Sequence, residues 1–106
     1  VILKMKDLIF YLHQDGGHAW LKVSKDTFNR TNLTMRSISC FSYHDNKNYY
    51  LEADVDATLY LNNLKDQNMQ YSFIYVDDGD YSRIRNLPRI ESGLLKEPKQ
   101  LLLRGF

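Results

Sequence analysis

Two histidines, a set of alternating carboxylates and a pair of alternating arginines are the residues of this 106-residue chain whose types and spacing could support chemistry. His13 and His18 flank Gln14-Asp15-Gly16-Gly17. As cross-strand neighbours, with Cβ atoms about 5 Å apart, their imidazoles could share a metal or act as a base near neutral pH. Glu52 or His44 would have to supply a third ligand. The spacing matches no established metal motif, and hairpin-end histidines in water are the simpler reading. Glu52, Asp54 and Asp56 alternate along an extended stretch. Their oxygens suit Mg2+, but Asp54 and Asp56 also stand where carboxylates cap a helix N-terminus. Asp77, Asp78 and Asp80 resemble the start of a calcium loop, yet no acidic residue follows at the required spacing, so they read as a turn.

Arg83 and Arg85 would project from one side of an edge strand over Ser82–Asn86. Their forked guanidinium groups match phosphate or carboxylate. Beside a floor of aromatic rings they would complete a nucleotide-type site; ion pairs with Asp77, Asp78 or Asp80 would instead engage them. Ser39 and Ser42 lack the context of a nucleophile elbow, and Gly16-Gly17 alone does not cradle phosphate. Cys40 falls on an aliphatic strand face, which predicts a buried, inert thiol. No catalytic residue, metal centre or cofactor follows from these patterns.

The elements that must position these groups are read from apolar spacing. Leu8–Leu12 and Ala19–Val23 predict one hairpin, Ile38–Tyr43 and Asn48–Ala53 a second, and Gln70–Val76 a further strand. Ala57, Tyr60, Leu61 and Leu64 form one helical stripe that ends at Asp66 through Asn68. Ser24 can cap a short helix over Lys25–Arg30. The predicted fold class is α+β: a four- to five-stranded, mainly antiparallel sheet with one main helix packed on one face. One domain over 1–86 would be followed by a basic, partly extended arm over 87–106, bracketed by Pro88 and Pro98.

Strand alternation turns this reading into surfaces. With four-residue loops, Leu12 meets Ala19 and Phe10 meets Leu21 on one side, and His13 meets His18 and Tyr11 meets Trp20 on the other. In the second hairpin Cys40 meets Leu51 on one side. Tyr43 meets Asn48, Phe41 meets Tyr50 and Ser39 meets Glu52 on the other. In the third run Tyr71, Phe73 and Tyr75 share the ring-bearing side, apart from Ile74 and Val76. One face is thus aliphatic and suits the helix. The other carries rings, and an aromatic second face needs cover. The candidates are the 87–106 arm, through Leu87, Ile90, Leu94 and Leu95, a partner or dimer interface, or a small-molecule or nucleotide pocket. The candidate binding residues are His18, Trp20, Phe41, Tyr43, Tyr50, Glu52, Arg83 and Arg85.

Composition narrows the class. Five Phe, eight Tyr and one Trp supply ample burial for a folded domain, and one Cys precludes an internal disulfide. A net charge of +1 argues against a DNA mimic and against a strongly basic nucleic-acid clamp. Residues 1–80 carry 8 basic and 11 acidic groups, and 81–106 carry 6 and 2. The sheet region is therefore net acidic, which disfavours nucleic acid. No apolar run approaches the ~20 residues of a spanning helix, and Val1–Lys6 is too short and polar for a signal-peptide core. The triplets Asn29-Arg30-Thr31 and Asn32-Leu33-Thr34 read as incidental.

Gly17-His18-Ala19-Trp20-Leu21-Lys22-Val23, Ser39-Cys40-Phe41-Ser42-Tyr43, Tyr50-Leu51-Glu52-Ala53-Asp54-Val55-Asp56 and Ser82-Arg83-Ile84-Arg85 together resemble a family of small proteins carried by tailed phages and plasmids. That pattern runs His-Gly-Trp, Ser-Tyr-Ser-Tyr, Tyr-Leu-Glu-Glu-Asp-Cys-Asp and Ser-Pro-Ile-Arg. The resemblance covers roughly residues 8–86 and carries over His18, Trp20, Tyr43, Tyr50, Glu52 and, from the last element, Arg83. Ala19, Phe41, Ala53 and Val55 depart from it, and Ala53 weakens any metal role that needs adjacent carboxylates. The resemblance implies a phage-type accessory protein in the host cytoplasm, serving host takeover or counter-defence. The expected action is binding of a host protein through the aromatic face rather than catalysis. The alternatives are a nucleotide-binding sponge or small nucleotide hydrolase, and a structural homodimer.

Overall fold

A computed structural model describes residues 8–90. Five strands form one open sheet in the order β3-β4-β2-β1-β5: β1 (Leu8–Gln14), β2 (Ala19–Ser24), β3 (Tyr43–His44), β4 (Asn48–Glu52) and β5 (Tyr71–Asp77). All neighbours are antiparallel except β1 and β5, which run parallel. The chain leaves β4, crosses one face of the sheet through the main helix, and returns as β5 beyond β2 and β1. The fold is α+β, as the apolar periodicities predict.

Both hairpins turn on the same device. Asp15 Oδ1 accepts from the Gly17 and His18 amides at 3.0 Å each. Asp45 Oδ1 accepts from the Lys47 and Asn48 amides at 2.9 and 2.8 Å. An aspartate that bonds its own downstream backbone fixes where the loop begins. The loops are thus Asp15–His18 and Asp45–Asn48, each one position later than the sequence pattern suggests. Leu12 consequently faces Leu21, and His13 faces Trp20 rather than His18. Tyr43 faces Tyr50 instead of Asn48. A shift of the loop by one moves each pairing by two, so side chains keep their faces.

Three expectations are corrected. The stretch 38–42 is loop, not strand, because the buried Asp56 carboxylate gathers it. That carboxylate accepts from the Ser39 amide at 3.0 and 3.1 Å, from Ser39 Oγ at 2.6 Å and from Ser42 Oγ. Cys40 is consequently exposed. In β5 the parallel register sets Tyr71, Phe73 and Tyr75 beside Leu8, Phe10 and Leu12, on the helix side, and Ile74 and Val76 on the other. Ser82–Asn86 does not return as an edge strand. Arg83–Asn86 is a 3-10 turn, begun by Ser82 Oγ accepting from the Ile84 amide at 3.2 Å.

The helices follow their caps. Ser24 caps α1 (Lys25–Phe28), its Oγ accepting from the Thr27 amide at 3.0 Å. Before α2 (Thr58–Asp66), residues Ala53–Ala57 make a π-helical turn. Its cap is Glu52, whose Oε1 accepts from the Asp54 and Val55 amides at 3.0 and 3.1 Å. Neither Asp54 nor Asp56 has the predicted capping role. The stripe Ala57, Tyr60 and Leu64 is buried, with Leu61 beside it, against Phe10, Leu21, Val23, Phe28, Ile38, Leu51 and Ile90. A second, smaller cluster of Trp20, Tyr43, Tyr50 and Ile84 lies on the opposite face.

Candidate functional site

Among the described residues, the ring-bearing face is covered in part by the chain itself, through Ser82–Leu87. Ile84 and Leu87 pack on Trp20, Tyr43 and Tyr50. Ile90, placed with the arm by the sequence pattern, joins the helix-side cluster, while Leu94 and Leu95 lie outside the described residues. The covering turn is held by charge. Arg85 Nε and Nη2 donate to Asp15 Oδ2 and Oδ1 at 2.6 and 2.9 Å, and the Ser82 amide donates to Asp15 Oδ2 at 2.9 Å. The Arg85 bonds hold the Asp15 carboxyl well below the usual carboxylate range against the opposing effect of burial, with the Ser82, Gly17 and His18 amides adding to them. Gly17 eases this approach, since a Cβ there would stand 3.1 Å from Arg85 Nη2 and the guanidinium would have to shift by a few tenths of an ångström. The ion pairs foreseen for Arg85 with Asp77, Asp78 or Asp80 are replaced by this fork–fork pair with the turn aspartate.

Beside the turn opens a cavity of about 270 Å3 lined by His18, Trp20, Phe41, Tyr43, Glu52, Asp54, Val55, Arg85 and Arg89. Six of the eight sequence candidates therefore meet in one place: His18, Trp20, Phe41, Tyr43, Glu52 and Arg85. Trp20 and Glu52 are direct cross-strand partners on β2 and β4. Glu52 Oε2 lies 3.7 Å from His18 Nδ1. The Arg85 guanidinium sits 5.0 Å from the Trp20 ring centre and 5.5 Å from that of Tyr81. Arg89 lies 5.5 Å from the Tyr43 ring centre and donates through Nη1 to the Cys40 carbonyl at 3.3 Å. The floor is sunken and the rim is not: Trp20 is 1% exposed, Phe41 58% and Val55 53%. The Trp20 indole N–H is buried with no acceptor among the described residues.

Tyr50 and Arg83 are separated from this group. They line a second cavity of about 460 Å3 across the turn, with His13, Lys22, Asp78 and Tyr81. Because a 3-10 turn rather than a strand carries them, Arg83 and Arg85 serve different cavities. Tyr50 donates to Asp45 Oδ2 at 2.7 Å, and burial together with that bond pushes its hydroxyl up to about 12. His13 Nδ1 lies 3.1 Å from Asp78 Oδ2, which also accepts from Ser82 Oγ at 2.6 Å. The proposed His13–His18 metal pair does not form. No group of three or more His, Cys, Asp or Glu side chains among the described residues is placed to share a metal ion.

Sequence reasoning missed Asp15, Arg89 and Val55. Asp15 stood in plain view as a turn residue, and its local bonds leave Oδ2 for a distant donor. Arg89 carried no signal, since only the Tyr43–Arg89 bridge brings it to the site. Among the described residues no helix is long and apolar enough to cross a membrane. Compared with known proteins, this chain matches no family model, and no curated protein or solved structure shows significant similarity to it.

Proposed function

We propose that this chain is a non-catalytic binding protein that engages another protein at the cavity between Phe41 and Val55. The biological setting is that of a phage-type accessory protein acting on a host protein in the host cytoplasm, in host takeover or counter-defence. The observation that carries the binding reading is the contrast between buried floor and exposed apolar rim. Trp20 at that burial offers no open ring face on which a base could stack. The cavity, at about 270 Å3, falls just below the ~300–1,000 Å3 of most small-molecule sites and suits one anchoring side chain of a partner. Tyr43, Arg89 and Phe41 around it are of residue types common at or near the centres of protein interfaces. Nucleotide handling has less support. Arg85 is committed to Asp15, Arg83 stands on the far side of the turn, and Glu52 and Asp54 bring negative charge where a phosphate would sit.

The test is site-specific photo-crosslinking in host cells, with the reactive residue at Phe41 or, as a control, at exposed Asn62 on α2. A discrete adduct with one host protein is expected from position 41 alone and is abolished by Val55→Asp. The same adducts from both positions, or none from position 41, would overturn the proposal.

A further inference from the structure

The two edges of the sheet are finished differently. At one, β3 is two residues long, and its outer side is occupied by the Tyr43–Arg89 bridge and by the His44 amide donating to the Pro88 carbonyl at 3.0 Å. At the other, β5 runs for seven residues and meets no further strand among the described residues.

Printed into the backbone is the direction in which β5 is unsatisfied. The Leu8 amide donates to the Gln70 carbonyl at 3.0 Å, and the Asp78 amide donates to the Gln14 carbonyl at 2.7 Å. In a parallel ladder a residue turns both its backbone groups to the same neighbour, and the next residue turns both away. Even-numbered residues from 70 to 78 therefore face β1, and the amides and carbonyls of Tyr71, Phe73 and Tyr75 point out of the sheet. Proteins usually blunt such an edge with charge, proline or a bulge. From Gln67 to Val76 this chain has no charged residue, no proline and no glycine.

We propose that the open edge of β5 pairs antiparallel with the same edge of a second copy, centred on Phe73, so that two sheets become one. A second copy presents the same outward row, and a two-fold axis lets each satisfy the other. Charge selects both orientation and occupant. Asp77, Asp78 and Asp80 crowd one end of β5. Antiparallel pairing sends the two acidic ends to opposite ends of the seam, each beside the uncharged Met69-Gln70 of its partner, whereas parallel pairing would set them side by side. Apolar contact adds to the seam on both faces. Tyr75 is 66% exposed on the helix side and Ile74 44% exposed on the other, where Ile9 and Tyr11 continue the apolar surface.

Sedimentation equilibrium of the full chain tests this. A concentration-dependent dimer is expected in the micromolar range. Tyr75→Lys should weaken it at least tenfold with an unchanged circular dichroism spectrum, and Leu59→Lys on α2 should leave it intact. As a measurement that does not rely on weakening the seam, spin labels at Asp77→Cys in a Cys40→Ser background should lie about 27 Å apart, the span of eight strand residues. A chain that stays monomeric throughout, including one that pairs only with a strand of another protein, would overturn the proposal. So would a dimer indifferent to Tyr75→Lys, or labels in near contact. The outcome is independent of the cavity at Phe41, which lies toward the other edge.

Discussion

The two covers of the sheet are built on opposite principles. On one face α2 lays Ala57, Tyr60 and Leu64 over a broad apolar cluster, so that burial of apolar area favours its docking. On the other face a four-residue 3-10 turn brings only Ile84 and Leu87 to Trp20, Tyr43 and Tyr50. So small an area gives little hydrophobic stabilisation. The turn is fastened instead by charge-assisted bonds to two aspartates, Asp15 at one hairpin and Asp78 at the end of β5. A short cover needs polar fasteners, and their loop positions leave gaps beside the turn, which are the two cavities.

Substitutions can break or sharpen that contrast. The largest effect is expected at the floor. Trp20→Ala should cost about 3–5 kcal/mol in urea unfolding, as for other buried large rings. Tyr11 lies on the same face but beyond the cover, 47% exposed. Tyr11→Ala should change stability by less than about 0.5 kcal/mol. Equal losses at the two positions would mean that the cover is not what distinguishes them.

Two tyrosines, one on each face, should respond with opposite signs. Tyr50 donates to Asp45, so Tyr50→Phe should destabilise by about 2 kcal/mol, as expected for a bond to a charged acceptor. Tyr60 is fully buried and its hydroxyl has no partner among the described residues. Tyr60→Phe should therefore stabilise by about 1 kcal/mol, from relief of an unmet polar group. Both hydroxyls are pushed up from 10.0 to about 12, in each case with burial as the leading cause. Their contribution is fully present below pH 10 and is lost as pH rises toward 12. Each Phe variant should flatten its share of that alkaline decline in thermal melts.

The smallest effect is expected at Asp15. Asp15 titrates below its ordinary 3.8 because of Arg85. Its contribution is complete above that value and declines as pH falls beneath it. Asp15→Asn should remove this part of the acid decline, and at neutral pH it should speed amide exchange in residues 82–87. Unchanged exchange there would show that the turn stays down without its aspartate.

For β1, β2, β4 and α2, face and element type were legible in the sequence because alternation and helical spacing are local. Phe10, Leu21 and Leu51 announced one side, and Trp20, Tyr43 and Tyr50 the other. Register was legible only to within two residues, since Asp15 and Asp45 act through bonds to their own loops that apolar spacing does not carry. The orientation of β5 was not legible at all. Whether Phe73 stands beside Phe10 depends on the direction in which the chain returns after α2. The split between Arg83 and Arg85 likewise follows from one serine cap that turns a would-be strand into a 3-10 helix.

The parallel pairing of β1 with β5 also bears on synthesis. A chain is made from its N-terminus, and β1 is complete long before its flank partner exists. Hairpin β1-β2 and strand β4 can assemble once Glu52 has left the exit tunnel, but Leu8, Phe10 and Leu12 keep one side open until Asp77 has left it too. Joining so distant a partner is intrinsically slow, and a strand left waiting beside other nascent chains is prone to wrong pairing. The last strand to emerge is the one that closes the first.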